Sequence, residues 1–253
     1  MSELVGNRRG LILGGTCELA LYLARVLIEK GAVPVLTWRS DDGLQRITNA
    51  LDVYNERFET TRLDLSDAAS IQEVFARSDS RFDFLVDFAQ GDYEALIASS
   101  DESRFCTYFT ENVAARAVVL KHICRQMLAW KQGRLVFVSS SAAGRPAPGQ
   151  GFYSAAKLAS EALYRNCGLE LAAKGITAVI LRAGYIDAGR GRAFLAANPE
   201  TVRQVPLNRF LTTEEVAETI LFLLSPAATG INATTVTMDG GLTAGKASPA
   251  NPK

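Results

Sequence analysis

Tyr153 and Lys157 stand four residues apart, and Ser140 lies thirteen residues before the tyrosine. On a helix a four-residue step is about one turn, so the phenol and the ammonium share a face. A free tyrosine titrates at about pH 10 and is a poor base at neutrality. A cation one turn away favours the phenolate and lowers that pKa, and each tenfold gain in acidity is worth ~1.4 kcal/mol. Such a tyrosine donates a proton to a carbonyl oxygen during reduction, or takes one from an alcohol during oxidation. A nearby serine hydroxyl bonds the same oxygen and stabilises its developing charge. Lys157 is also placed to reach the hydroxyls of a nicotinamide ribose. The Tyr–Lys spacing alone is common in ordinary helices. With Ser140 after a strand, it specifies a carbonyl/alcohol centre.

Such a centre needs a hydride carrier, and four strand ends offer places for one. The first turn reads Leu13-Gly14-Gly15-Thr16-Cys17-Glu18-Leu19-Ala20. A glycine-rich turn opening a helix lets backbone N–H groups approach a pyrophosphate. Gly14 and Gly15 supply the tight turn, Thr16 and Leu19 lie along it, and Ala20 is small enough for helix–strand packing. Glu18 sits where another close-approach glycine would be ideal. Its carboxylate suits a helix N-terminus but repels a phosphate if it points inward. Alone, this loop reads equally well as a structural turn.

The second strand runs into Thr37-Trp38-Arg39-Ser40. An acidic residue at the strand end would accept from a free ribose 2′-OH and favour NAD. Thr37 stands there instead, and Arg39 with Ser40 can pair with a 2′-phosphate, which favours NADP(H) over NAD(H). The other reading of Arg39 is an exposed loop cation. Asp64 and Leu65 follow the third strand. Asp64 is either an acceptor for an adenine amino group or a turn residue beside the caps Ser66 and Asp67. Asp87-Phe88-Ala89-Gln90-Gly91 follows the fourth strand and would pass beneath the adenosine ribose.

The elements that must position these residues alternate. Apolar runs at 11–13, 33–37, 82–87, 134–139, 176–181 and 234–238 read as strands, with a weaker one at 58–63. Helical patterns cover 18–30, 68–77, 104–130, 151–174 and 213–224. Gly31, Gly133 and Gly175 read as stop signals. This repetition predicts an α/β fold of three layers, a doubly wound, Rossmann-like parallel sheet in a single domain spanning 1–253. Ligands bind such sheets beyond the carboxyl ends of the strands, where every motif above falls. The stretch 247–253 carries two prolines and is expected to fray.

Composition narrows the partners. Lys plus Arg number 27 and Asp plus Glu also 27, a balance that argues against nucleic acid or an anionic membrane. The N-terminus lacks an apolar signal core, and no apolar stretch is long enough to span a bilayer. The four cysteines show no CxxC spacing, and with one histidine, His122, a metal site is hard to build. His122 reads as structural or as part of an interface. The cytoplasm is the expected compartment.

From about residue 9 to residue 241 the chain resembles the short-chain dehydrogenase/reductase family, and within it the 3-oxoacyl-[acyl-carrier-protein] reductases. The Ser140–Tyr153–Lys157 pattern is the most specific element. The resemblance implies a fourth catalytic residue, Asn112, supporting a water in a proton relay through the lysine. It also implies that Gly184 and Ile186, in Arg182-Ala183-Gly184-Tyr185-Ile186-Asp187-Ala188, bind the cofactor, with the backbone of Ile186 holding the nicotinamide carboxamide. Pro206-Leu207-Asn208-Arg209, Thr213-Glu214-Glu215-Val216-Ala217 and Met238-Asp239-Gly240-Gly241 look like that branch's closing segments. The last of these implies a homotetramer or homodimer. The chain departs from the family at Glu18 and Ala20 in the glycine turn and at Asp87-Phe88-Ala89-Gln90 in place of NNAG. It departs again at Ala183-Gly184 in place of PG, and at Ala188 where a threonine often stands. Pure enoyl reductases place six residues between their tyrosine and lysine; this chain places three.

Residues 188–212 are expected to form a substrate lid hinged on glycines. Arg190, Arg192 and Arg203 either meet an acidic group on the substrate or its carrier, or are solvated charges. Phe152, Tyr185 and Phe194 line an apolar pocket or pack in the core. The resulting expectation is NADPH-dependent reduction of a ketone, 3-oxoacyl thioester-like, to a secondary alcohol, or the reverse. The substrate is then a small-molecule or acyl-thioester carbonyl or alcohol. The alternative is a catalytically weak or inactive cofactor-binding or scaffold protein of the same fold.

Overall fold

The computed structural model describes residues 6–76 and 81–245. The expectation for 247–253 lies outside them. Among the described residues seven strands form one sheet: β1 (Arg9–Leu13), β2 (Val33–Trp38), β3 (Glu59–Arg62), β4 (Phe84–Asp87), β5 (Gly133–Ser140), β6 (Ile176–Ala183) and β7 (Thr234–Met238). Their order is β3-β2-β1-β4-β5-β6-β7, and every pairing is parallel. The helices are α1 (Glu18–Glu29), α2 (Asp41–Leu51), α3 (Ala68–Ala76), α4 (Glu102–Phe109), α5 (Ala115–Trp130), α6 (Gly151–Leu171), α7 (Gly189–Ala197) and α8 (Thr213–Leu224).

Side chains of a strand alternate between faces, so one run feeds two cores. Ile12 packs with Leu23 and Leu27 of α1 and Ile220 of α8. Leu11 and Leu13 pack on the other side with Ile71 of α3, Val119 and Ile123 of α5 and Tyr164 of α6. Burial on both faces is why the central strands read as continuous apolar runs. Strand order reverses between β1 and β4, which opens a crevice at their carboxyl ends.

The punctuation is chemical. Gly31, at φ +83°, ends α1, and Gly175, at φ +75°, ends the short 3₁₀ turn after α6. Gly133 is not the residue that breaks α5. Lys131 takes the left-handed conformation, and Gly133 opens β5 because a Cβ there would lie 2.2 Å from Met127 Sδ. The stretch expected as one helix over 104–130 begins at Glu102. Asp101 caps it, and a π-helical turn, Thr110–Ala114, joins α4 to α5. Two helices carried too little pattern to be expected: α2, which buries only Ile47 and Leu51, and α7. Among the described residues no helix is long and apolar enough to cross a membrane.

Candidate active site

β5 delivers Ser140 as its last residue, and Ala142 N donates to the Ser140 hydroxyl at 3.2 Å. α6 places the half-buried Tyr153 in its first turn and Lys157 one turn later. Tyr153 faces Ser140, whose hydroxyl acts on the phenol to pull its pKa down. The sequence-predicted triad is therefore brought together.

Its electrostatics differ from the expectation. The Tyr153 pKa is raised, because burial outweighs the Ser140 hydroxyl and the charge of Arg190 that pull it down. Lys157 does not reverse this. Its Nζ donates to Val138 O at 2.9 Å and lies 5.9 Å from the centre of the Tyr153 ring, and the residue is 3% exposed. Burial pulls the Lys157 pKa down to about 7, helped by the Arg116 and Arg190 charges and opposed by Asp87 and Glu161. A lysine that is only partly charged at neutrality, and turned to a carbonyl, does not offset the burial of the resting phenol.

Asn112 lies in the π turn and is buried. Its Oδ1 accepts from Gly91 N at 2.6 Å, and its Nδ2 donates to Tyr108 O at 2.8 Å. Its own carbonyl accepts from the Arg116 guanidinium. Asp87 and Arg116 form a fully buried ion pair at 2.7 Å, joined by the Tyr164 hydroxyl at 2.8 Å. The sequence reasoning missed this cluster. Its signal was an arginine within the apolar stripe Asn112, Arg116, Val119, Ile123, opposite an aspartate ending the buried run Phe84–Asp87. A second buried group, Glu161, accepts from Ser139 at 2.6 Å and pairs with Arg182.

On the nucleotide side, Gly14, at φ +76°, has no room for a side chain: a Cβ would sit 2.8 Å from Ala89 N. At Gly15 it would meet Leu36 at 2.7 Å. The loop after β4 and the end of β2 thus leave no room for a side chain at either position. Gly14 N donates to Thr37 Oγ1 at 3.0 Å, which ties the turn to the end of β2. Arg39 is exposed, Ser40 caps α2 by accepting from Gly43 N, and Leu65 is half-buried. Asp64 accepts from the amide and hydroxyl of Ser66, a turn contact. Gly184 packs on Asp239, and Ile186 bridges to Leu211.

In the 188–212 segment, Glu18 accepts from Gly189 N at 3.0 Å and pairs with Arg192 at 2.8 Å. Arg190 pairs with Asp92 at 3.0 Å, and Arg203 is exposed. Tyr185 stacks on Phe194, whereas Phe152 joins an aromatic cluster with Tyr93, Phe105 and Phe109. His122 stacks on Phe75.

A parallel seven-stranded sheet with a Ser–Tyr–Lys cluster at its carboxyl edge defines a dehydrogenase/reductase class. The profile of a family described as enoyl-(acyl carrier protein) reductase matches residues 18–243. The chain belongs to the short-chain dehydrogenase/reductase family, nicotinamide-dependent oxidoreductases of CH–OH and C=O groups. It is 26% identical over 240 residues to the 3-oxoacyl-[acyl-carrier-protein] reductase of Buchnera aphidicola, covering 94% of this chain and 98% of that one. It is 29% identical over 253 residues to the cis-4-hydroxycyclohexanecarboxylate dehydrogenase of Sinomonas cyclohexanicum, covering 96% and 100%. It superposes on the structure of a gluconate 5-dehydrogenase from Burkholderia cenocepacia in complex with NADP and tartrate with a TM-score of 0.86. That pair is 26% identical and covers 96% and 97% of the two chains.

Proposed function

We propose that this chain reduces a ketone of the 3-oxoacyl thioester kind to a secondary alcohol with NADPH. The observation that carries this reading is Ser140 at the end of β5 beside Tyr153, with Lys157 one turn further along α6 and the phenol kept protonated by burial. A protonated phenol is the form that donates to a carbonyl oxygen. Ser140 holds that oxygen, Tyr153 gives it a proton, and the charged form of Lys157 stabilises the phenolate left behind. Asn112 anchors the π turn beside them and is the fourth member of the set.

The residues present fit a nicotinamide dinucleotide. Cys17 makes no side-chain cap on α1, and the Glu18 carboxylate is engaged by Gly189 and Arg192, so the α1 N-terminus is open to a phosphate. Gln90 Oε1 is buried without a partner, an acceptor suited to a ribose hydroxyl. Gly14, Gly15, Thr16, Glu18 and Leu19 would border the diphosphate, Arg39 and Ser40 the 2′-phosphate, and Asp64 and Leu65 the adenine. Ala89 would lie under the adenosine ribose, Tyr153 and Lys157 at the nicotinamide ribose, and Gly184 and Ile186 at the carboxamide. When bound, the cofactor supplies the hydride.

The Buchnera relative supports a 3-oxoacyl substrate by its name, and the three-residue interval between Tyr153 and Lys157 disfavours enoyl reduction. Residues 188–212 act as the lid. We place the enzyme in the cytoplasm, where its four free thiols stay reduced. It acts there as a homodimer or homotetramer through surfaces carrying the exposed Val118, Leu158 and Leu169. A weak or inactive cofactor-binding protein is the second reading, favoured by the Glu18 carboxylate at the diphosphate end. The test is fluorescence titration with NADPH and NADH, then NADPH oxidation with an acetoacetyl thioester. Binding of NADPH with turnover that falls about 10²–10⁴-fold in Tyr153→Phe supports the proposal. Binding without turnover across a ketone and alcohol panel supports the second reading.

A further inference from the structure

Behind Lys157 stands a second buried cation that the proposed chemistry does not use. Arg116 is 0% exposed on the sheet-facing side of α5. Its Nε donates to Asp87 Oδ2 at 2.7 Å, and its Nη1 to the carbonyl of Asn112 and to Ser160 Oγ, the latter at 2.9 Å. Its Nη2 donates to the carbonyl of Ala89. Asp87, equally buried, also accepts from Tyr164 and from Ala89 N, the latter at 2.9 Å. One guanidinium thus joins β4, the loop after it, the π turn and α6.

A buried ion pair is weak grounds for stability, since well-packed apolar residues often do as well. What apolar residues cannot reproduce is its field. The Arg116 Cζ lies 5.2 Å from the centre of the Phe137 ring, and Lys157 Nζ lies 4.8 Å from the same centre. At that depth charges are weakly screened. The groups facing Lys157 are Arg116 from α5, Asp87 from β4, Tyr153 and Glu161 from its own helix, and Arg190 from α7. Glu161 is paired with Arg182 and Arg190 with Asp92. Asp87 and Arg116 press on the ammonium with opposite signs.

We propose that Arg116, held by Asp87, is a positioning residue for the Ser140–Tyr153–Lys157 centre, fixing the Asn112 turn against α6 and setting the charge carried by Lys157. This rests on the reading of that centre as a reductase site. Its test does not need turnover. Lysine labelled at Cε and Nζ is followed by NMR through a pH titration, and the Lys157 signal is assigned by its loss in Lys157→Arg. In Arg116→Met the midpoint should rise by about one pH unit or more, because a like charge is gone. In Asp87→Asn it should fall, because the neutralising carboxylate is gone. A merely structural pair would move both midpoints the same way or neither, and that result overturns the proposal. Circular dichroism checks the fold. If Arg116→Met does not fold, Asp87→Asn decides alone, and no downward shift refutes the idea. Where acetoacetyl-thioester reduction is measurable, its pH profile should move in the same two directions. If no turnover is found, the reductase reading fails while the NMR result still stands or falls separately.

Discussion

At the scale of single residues, burial acts in opposite directions on Tyr153 and Lys157, raising the pKa of the phenol and lowering that of the ammonium. Ser140, Tyr153 and Lys157 meet as their spacing requires. The expected depression of the tyrosine pKa does not occur, because burial acts on both partners: it raises the phenol and brings the ammonium down to about 7. Sequence spacing conveys proximity, not desolvation. The consequence is a pH dependence with a definite sign. Lys157 is charged below about pH 7 and neutral above it, while Tyr153 stays protonated through this range. If the charged lysine stabilises the departing phenolate, kcat/KM for ketone reduction should fall as pH rises through about 7. A rate that climbs across that interval contradicts this assignment. Ser140→Ala should lower kcat about 10²–10³-fold, since it removes one donor from the developing oxyanion. Its NADPH dissociation constant should stay at the wild-type value, measured by fluorescence titration.

At the scale of elements, strands and most helices were legible because burial on two faces writes continuous apolar runs, and buried helix stripes write a 3.6 period. α2 was not, because two buried side chains, Ile47 and Leu51, make no stripe. The π turn was not, because Asn112 reads as an ordinary polar helix residue until its amide is seen spanning Gly91 N and Tyr108 O. The Glu18 departure was visible, but its partners were not: a contact 171 residues along the chain ties the first turn of α1 to the start of α7. The Arg192 hydrogen bond and the Gly189 amide hold the Glu18 carboxyl below the usual carboxylate range, so this tie persists at neutral pH. Glu18→Gln should release α7 and remove a negative charge from the diphosphate end. NADPH is then expected to bind about two- to fivefold tighter, the equivalent of ~0.3–1 kcal/mol at a helix N-terminus. Isothermal titration of both proteins decides it, and weaker binding in the variant would make Glu18 a ligand rather than an obstacle.

At the scale of the whole molecule, a buried lysine is a cost to the fold that the site requires. Free in an unfolded chain, Lys157 titrates at about 10.4; in the folded protein it titrates at about 7. Between those values the unfolded state binds more protons, so this group makes stability rise with pH. Below about pH 7 the side chain is charged in both states and its full burial penalty applies. Above about pH 10.4 it is neutral in both and the penalty vanishes. Replacing it with an unbranched apolar side chain of similar length removes the penalty and forfeits the bond to Val138 O, the attraction of Asp87 and Glu161 and the contact of the ammonium with the Phe137 ring. Lys157→Met is therefore expected to melt higher than the wild type at neutral pH, by about 2–4 °C for each kcal/mol recovered. The gain should be largest at about pH 6–7 and shrink steadily toward about pH 10, while ketone reduction is lost. Scanning calorimetry across that range gives the answer. A variant that melts at or below the wild-type temperature at about pH 7 would mean that the Lys157–Val138 bond and its neighbours outweigh desolvation, and that this lysine holds the β5–α6 junction together as well as serving the chemistry beside it.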